Sequence, residues 1–158
     1  MPISRRQADD GDVVPFAPYA YGGAHSSMSQ SRMLAIVTSS KEFTDAEVRV
    51  IIWFILNSPG HGLAVRKTAK QIAAELGMTP EGYSRICTRL RKRRILLERD
   101  KVGVTRFYAV SPYLGGRGSG LEQREAVAGC NPPVLPGEEI KAADITPVTR
   151  PSRTRRTA

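Results

Sequence analysis

Residues 68 to 110 decide the fold of this chain, and they read TAKQIAAELGMTPEGYSRICTRLRKRRILLERDKVGVTRFYAV. The stretch opens with apolar residues at helical spacing, namely Ala69, Ile72, Ala73 and Leu76. Residues three and four apart share one face of a helix. This spacing therefore predicts a short amphipathic helix with one buried side.

A tight turn and a second helix follow within three residues. Gly77 can adopt the left-handed conformation that ends a helix without steric cost. Thr79 then supplies an N-cap, and Pro80 stands at the first helical position, where its fixed φ is favourable. The inward face of this second helix is predicted to carry Tyr83, Ile86, Cys87 and Leu90.

Residues 95 to 110 show a hairpin pattern. Segments 95 to 99 and 104 to 110 are rich in β-branched or aromatic residues, and the stretch 100 to 103 between them ends in a turn glycine. Helix, turn, helix and hairpin in this order predict a winged helix-turn-helix, which is mainly α with a small β-wing. In that layout the second helix lies in the major groove of DNA.

A further helix is predicted upstream of this unit. Thr44 and Glu47 have the spacing of a capping box, so we expect a helix from Asp45 to about Asn57. Its sequence is apolar nearly all round, which predicts a core helix, while a dimer interface on one side stays open. The preceding residues 32 to 38 fit either a short strand or a helical turn.

Positive charge is concentrated in the middle of the chain. Between positions 41 and 118 there are 15 Lys or Arg residues and 7 Asp or Glu residues, a net +8 of the formal +9 of the whole chain. A protein that neutralises DNA phosphates gains affinity by releasing counterions, whereas an acidic small molecule needs only one or two cations. The charge distribution therefore favours double-stranded DNA as the partner.

The length of 158 residues fits one domain with an arm at each end. We predict a flexible N-terminal arm over 1–31, a winged helix-turn-helix DNA-binding domain over 32–118, and a disordered, Pro-rich, basic C-terminal tail over 119–158. The tail has five prolines and few large apolar residues, so it buries too little surface to offset the entropy of ordering. The glycine-rich residues 115 to 120 are predicted to form a hinge into this tail, and a short helix at 121 to 128 stays open.

Two sets of side chains are predicted to contact DNA. Base readout is assigned to the outward positions of the second helix, which are Thr79, Glu81, Gly82, Ser84, Arg85, Thr88 and Arg89. Contacts to the DNA backbone are assigned to the surrounding cations, which are Lys67, Lys70, Lys92, Arg93, Arg94, Arg99, Lys101 and Arg106. Arg85 is the first candidate, because a guanidinium can bond two acceptors on guanine.

Two alternatives to these contacts stay open. The cations at 91 to 94 could instead satisfy the carbonyl groups at the end of their helix. The charged hairpin could be an ordinary solvated edge, where charges oppose aggregation.

Other classes of protein are disfavoured. The longest apolar run, Val50 to Leu56, is much shorter than the about 20 residues that span a bilayer. The N-terminus lacks the apolar core of a signal peptide, so we expect a cytoplasmic protein without a membrane partner.

The cysteines and histidines give no sign of a metal or catalytic site. Cys87 and Cys130 have no metal-type spacing with His25 or His61, which predicts free thiols, no metal and no cofactor. No arrangement of nucleophile, base and carboxylate suggests catalysis, so we expect a protein that is not an enzyme.

Three segments carry a resemblance to a known family: AEVRVIIWFILN at 46 to 57, TAKQIAAELG at 68 to 77, and YAVSPYLGGRG at 108 to 118. Together they resemble the RepL-type plasmid replication proteins, small winged-helix initiators of bacterial plasmids. The resemblance covers about residues 32 to 120. It is most specific at its end, although Ser111 stands where family members commonly have Asn before Pro. The helix-turn-helix alone is also similar to that of MarR-like winged-helix regulators.

The resemblance implies recognition of a plasmid origin and recruitment of host replication proteins, without helicase or nickase activity. It carries Thr79, Glu81, Arg85 and Arg89 over as positions facing DNA. The function predicted is sequence-specific binding of double-stranded DNA in plasmid replication initiation or maintenance, by a protein associated with the plasmid or nucleoid. A MarR-like transcriptional regulator and a protein-protein adaptor remain alternatives, and a homodimer is left open.

Overall fold

The computed structural model describes residues 24 to 138. The elements of this part of the chain are, in order, β1 (Ser27–Met28), α1 (Gln30–Thr38), α2 (Asp45–Leu56), α3 (Ala69–Leu76), α4 (Pro80–Lys92), β2 (Leu96–Val102), β3 (Thr105–Val110), β4 (Gly115–Gly116) and α5 (Gly120–Ala128). Strand β1 pairs with β4 and β2 pairs with β3, both antiparallel. The described chain is thus mainly helical with two small antiparallel sheets.

Helix α2 lies in the middle of the core. Its predicted capping box is confirmed: the Thr44 hydroxyl accepts from the Glu47 N–H, and the Thr44 N–H donates to the Glu47 carboxylate, each at 3.2 Å. Buried side chains on both sides of the helix include Val50, Ile51 and Phe54. Because α2 is apolar nearly all round, α4 and the hairpin can pack on it together.

The predicted pair of helices with a tight turn is confirmed. Gly77 has φ +66°, in the left-handed region that Cβ-bearing residues disfavour, and its N–H donates to carbonyls of α3. Thr79 then caps α4 by accepting from the Gly82 N–H at 3.1 Å. The inward face of α4 is also as predicted, with Tyr83, Ile86, Cys87 and Leu90 all buried.

The hairpin is longer than predicted and its turn is shorter. Lys101 pairs with Arg106 and Val102 with Thr105, so only residues 103 and 104 form the turn. The predicted turn of four residues is wrong because cross-strand pairing continues to the end, where a two-residue loop with Gly103 at φ +61° closes it.

The N-terminal part of the fold settles the choice left open at residues 32 to 38. They belong to helix α1, which buries Met33 and Ile36. Just before it, β1 pairs with β4, so residues 27 to 31 are part of the fold and the predicted domain start at 32 is too late. Residues 1 to 23 of the predicted arm lie outside the described residues.

The first two residues of the glycine-rich stretch form strand β4, which packs against β1, so this part is not the predicted hinge. A Cβ on Gly115 would lie 2.5 Å from the backbone oxygen of Ser27, so only glycine allows β1 and β4 to approach this closely.

The segment predicted as a disordered tail is ordered over its described part. After α5, Val134 is 2% exposed and its N–H donates to the Arg93 carbonyl at 2.8 Å. Leu135 packs against the core as well. The composition underestimates the order of this segment. A few buried side chains are enough to order it, because its backbone is also held by residues far away in sequence. Residues 139 to 158 lie outside the described part.

Among residues 24 to 138, no helix has both the length and the apolar character needed to cross a bilayer.

Candidate nucleic-acid interface

The outward face of α4 is polar, exposed and mostly positive. Its exposed side chains are Glu81, Ser84, Arg85, Thr88, Arg89 and Lys92. The helix is amphipathic, so the four buried residues on the opposite side fix the direction in which this face points. The structure thus presents, on one accessible helix face, most of the residues predicted for base readout.

Arg85 is an exposed cation of this face whose side chain is not held by an internal partner. It is exposed, and within residues 24 to 138 it has no carboxylate in ion-pair distance. Its guanidinium therefore keeps all its donors available for an external acceptor. This is the position that the sequence predicted as the first candidate for contact with a base.

Arg89 is held differently from Arg85. Its Nε lies 2.5 Å from a carboxylate oxygen of Glu47, whose side chain is only 5% exposed. Glu47 also caps α2, so Arg89 joins α4 to the first turn of α2. The predicted role of Arg89 as a free base reader needs correction, because its guanidinium already has a partner inside the protein.

Two of the hydroxyl groups predicted for base readout already make hydrogen bonds within α4 or at its N-cap. The Thr79 hydroxyl is the N-cap acceptor, and the Thr88 hydroxyl donates to the Ser84 carbonyl at 3.0 Å. A Cβ on Gly82 would lie 3.0 Å from the Thr79 hydroxyl, so glycine at this position preserves the cap. Glu81 is exposed in the first turn, where the helix dipole favours a negative charge.

Three cations besides Arg85, on α4 and on neighbouring elements, also have no carboxylate partner in the described chain. Lys70 stands in the first turn of α3, Lys92 ends α4, and Lys101 lies near the hairpin tip, all of them exposed. All three were predicted to contact phosphates. We call Lys70, Arg85, Lys92 and Lys101 the basic surface.

Two of the cations predicted for contact with the DNA backbone serve the fold instead. Arg93 pairs with Glu42 at 3.0 Å and lies over the Phe43 ring at 4.8 Å. Arg94 donates through Nε to the Pro132 carbonyl at 2.7 Å. These contacts hold the segment after α5 against the end of α4, which is why neither arginine is available as predicted.

Arg99 points away from the hairpin tip. Its guanidinium donates to the Cys130 sulfur at 2.7 Å, and its Nε is buried. Because β2 has a bulge between Glu98 and Asp100, the side chain is directed toward the segment after α5 and not outward. The structure therefore does not present Arg99 for the predicted contact with the DNA backbone.

Lys67 and Arg106 have acidic partners but remain partly exposed. Lys67 pairs with Glu75, and this hydrogen bond is the main reason that the pKa of Glu75 lies below its usual range. Arg106 is 3.6 Å from Glu98, a loose contact with 44% of the arginine side chain exposed. Arg106 can therefore turn to a phosphate more easily than Lys67 can.

Most acids near the basic surface are neutralised by internal partners. The pairs are Glu42 with Arg93, Glu47 with Arg89, Glu75 with Lys67, Glu98 with Arg91, and Asp100 with Arg66. Sequence analysis missed the roles of Arg66 and Arg91, which also lie over the Phe107 and Tyr108 rings. No local signal could reveal them, since each pair joins different elements. The four cations of the basic surface have no such partner within residues 24 to 138, and neither does Glu81 on α4, so the unpaired charge here is mainly positive.

A separate cleft of about 260 Å³ lies between β4, α1 and α5. Its polar lining residues include Ser29, Arg32, His61, Ser119 and Gln123.

Both cysteines are free thiols, Cys87 buried and Cys130 partly buried, as predicted. In the described chain no group of three His, Cys, Asp or Glu side chains is arranged to hold a metal ion.

Comparison with known proteins gives no assignment: no family model, no curated protein and no solved structure matches the chain.

Proposed function

We propose that this chain is a winged helix-turn-helix protein that binds double-stranded DNA sequence-specifically through the outward face of α4. The single observation that carries the proposal is the basic surface. Four exposed cations without internal partners lie on α3, α4 and the hairpin, while the neighbouring acids other than Glu81 are paired inside the domain. Such a separation of charge favours an extended polyanion over a small anionic ligand.

The proposed role of each side chain in DNA binding follows from whether it has a partner inside the protein. Arg85 projects from the first half of α4, where a recognition helix contacts base edges, and can bond both acceptors on guanine. Lys70, Lys92 and Lys101 neutralise phosphates on either side, which fixes orientation without reading sequence. Ser84 and Thr88 supply shorter polar contacts beside Arg85. Arg89 acts through the fold and only secondarily on DNA.

We further propose a role in plasmid replication initiation or maintenance, as a plasmid- or nucleoid-associated cytoplasmic protein that is not an enzyme. The support is the resemblance to RepL-type proteins, which is most specific over its closing residues 111 to 118, although Ser111 itself departs from the usual Asn. Host replication proteins and a second copy of the chain are the partners this role implies. A MarR-like transcriptional regulator has the same interface, so the target site decides between the two.

Arg85→Ala tests the interface. Loss of a bidentate contact to guanine should cost about 1–3 kcal/mol on the selected site, with a smaller loss on random DNA. Sites are first selected from a random duplex pool with the wild-type protein, and affinities are then measured at fixed salt. Arg124→Ala is the matched control, because Arg124 is also exposed but lies on α5. Equal losses for Arg85→Ala on selected and random DNA would remove Arg85 as a base reader.

A footprint on the DNA that encodes the protein, with its flanks and excess random competitor, tests the biological role. Protection at a repeat-rich origin supports replication. Protection confined to a promoter supports transcriptional regulation. Absence of any discrete protection would favour the adaptor alternative and contradict sequence-specific binding.

A further inference from the structure

The tip of the β2–β3 hairpin is apolar at its apex and basic just behind it. Val104 is 95% exposed and Val102 is 64% exposed. Lys101 and Arg106 form the second cross-strand pair from the turn. Asp100, the acid nearest in sequence to the tip, pairs with Arg66. The hairpin tip therefore exposes aliphatic side chains at its apex, with two cations on the strands just behind them.

The fold itself gives no reason for valine at position 104. Among the exposed large apolar side chains of residues 24 to 138, Val104 is the most exposed. It occupies the second place of a two-residue turn, after Gly103, where polar residues serve at least as well. A side chain in this position contributes nothing to the core, so its apolar character is explained better by contact with something outside the protein.

The length of the exposed tip matches a groove of DNA. Each residue advances a strand by about 3.3 Å, so the step from Lys101 to the apex extends about 7–10 Å. The minor groove of B-DNA is about 7.5 Å deep and about 6 Å wide, which admits a two-residue turn better than a helix. With the apex at the floor of the groove, Lys101 and Arg106 lie at the level of the phosphates on its rims.

We propose that Val104 is an apolar wedge, which enters the minor groove beside the α4 contact, partly unstacks one base step and bends the DNA. The inference rests on the proposed function and adds to it a source of specificity. Pyrimidine–purine steps such as TA unstack most easily, so the protein should prefer them at a position where it makes no hydrogen bond to a base. Lys101 and Arg106 hold the backbone on each side while the step opens.

Val104→Thr tests the wedge, because it keeps the β-branched shape and replaces one methyl group by a hydroxyl. The probes are three duplexes that carry the selected α4 site and differ only in the adjacent groove segment, with TATATA, AAAAAA or GCGCGC. Fluorescent labels at the two ends report bending, and 2-aminopurine in the TATATA segment reports unstacking. For the wild type we expect tightest binding to TATATA, shorter end-to-end distance and a rise in 2-aminopurine fluorescence.

The Val104→Thr variant should lose about tenfold in affinity for TATATA, since an apolar contact is replaced by a hydroxyl without a partner. It should also lose most of the bending and unstacking signals, while Val104→Leu should keep or strengthen them. Val37→Thr makes the same chemical change at an exposed position of α1 and should change none of these signals.

The outcomes separate the wedge from DNA binding as such. A Val104→Thr protein that binds and bends TATATA like the wild type would overturn the wedge and leave the proposed function intact. The same holds if the wild type binds all three duplexes equally and bends none. A wild type that binds none of them would overturn both proposals.

Discussion

Replacing Arg89 by Ala should weaken the fold, whereas replacing Arg85 by Ala should not, although both arginines are exposed on the same helix. Arg89 lies 2.5 Å from the Glu47 carboxylate, which is 5% exposed. Unit charges about 4 Å apart attract by about 4 kcal/mol at an effective dielectric of 20. Since the Arg89 side chain is 56% exposed, water replaces much of that attraction.

The expected loss on Arg89→Ala is therefore about 2 kcal/mol. Exposed ion pairs typically contribute less than about 1 kcal/mol to stability, whereas breaking a fully buried pair costs about 3–5 kcal/mol. The value expected for Arg89→Ala lies between these two. Glu47 keeps its hydrogen bond from the Thr44 N–H, which limits the cost. Because Arg85 has no internal partner, Arg85→Ala should change the free energy of unfolding by no more than about 0.5 kcal/mol.

Urea unfolding followed by circular dichroism measures these losses in the free energy of unfolding. A double-mutant cycle isolates the interaction energy between Arg89 and Glu47. Glu47→Gln removes the charge but keeps an acceptor for the α2 cap. In that background Arg89→Ala should cost much less than in the wild type, leaving a coupling energy of about 1.5 kcal/mol or more. Equal unfolding midpoints for Arg85→Ala and Arg89→Ala, or a coupling near zero, would refute the assignment of Arg89 to the fold.

Other predictions follow from the same contacts. Val134→Ala should lower the free energy of unfolding by about 2 kcal/mol, and an unchanged urea midpoint would mean that the segment after α5 does not cover the core in solution. A thiol reagent at mildly alkaline pH should label Cys130 in the native protein but not Cys87, because burial raises the pKa of Cys87 to about 11; equal labelling rates before unfolding would contradict this. Gly115→Ala should destabilise the protein by about 1–3 kcal/mol, since its Cβ would meet the Ser27 oxygen at 2.5 Å, and thermal unfolding compared with Gly120→Ala, where a Cβ meets nothing, measures it. Lys101→Ala should weaken binding about equally on all DNA sequences and reduce the salt slope by about 1, whereas a sequence-dependent loss would make it a base contact.

The local elements could be predicted where each had its own signal. The capping box at Thr44 and Glu47, the glycine at position 77 and the Thr79-Pro80 start of α4 act within a few residues, so their effect does not depend on the rest of the fold. The hairpin was found for the same reason, although its turn was placed too early. The segment after α5 was missed because its order depends on Arg93 and Arg94, which composition alone cannot connect to it.

What the sequence determined by itself is the order of α2, α3, α4 and the β2–β3 hairpin and the inward face of α4, since periodicity and caps are local properties. What only the tertiary structure decided is which cations remain available. Arg85 and Arg89 are equivalent one turn apart in the sequence, but the packing of α2 on α4 places the Glu47 carboxylate beside one of them alone. Long-range ion pairs thus select the basic surface from a larger set of similar side chains, because the position of each acid in space is set by the packing of the whole domain.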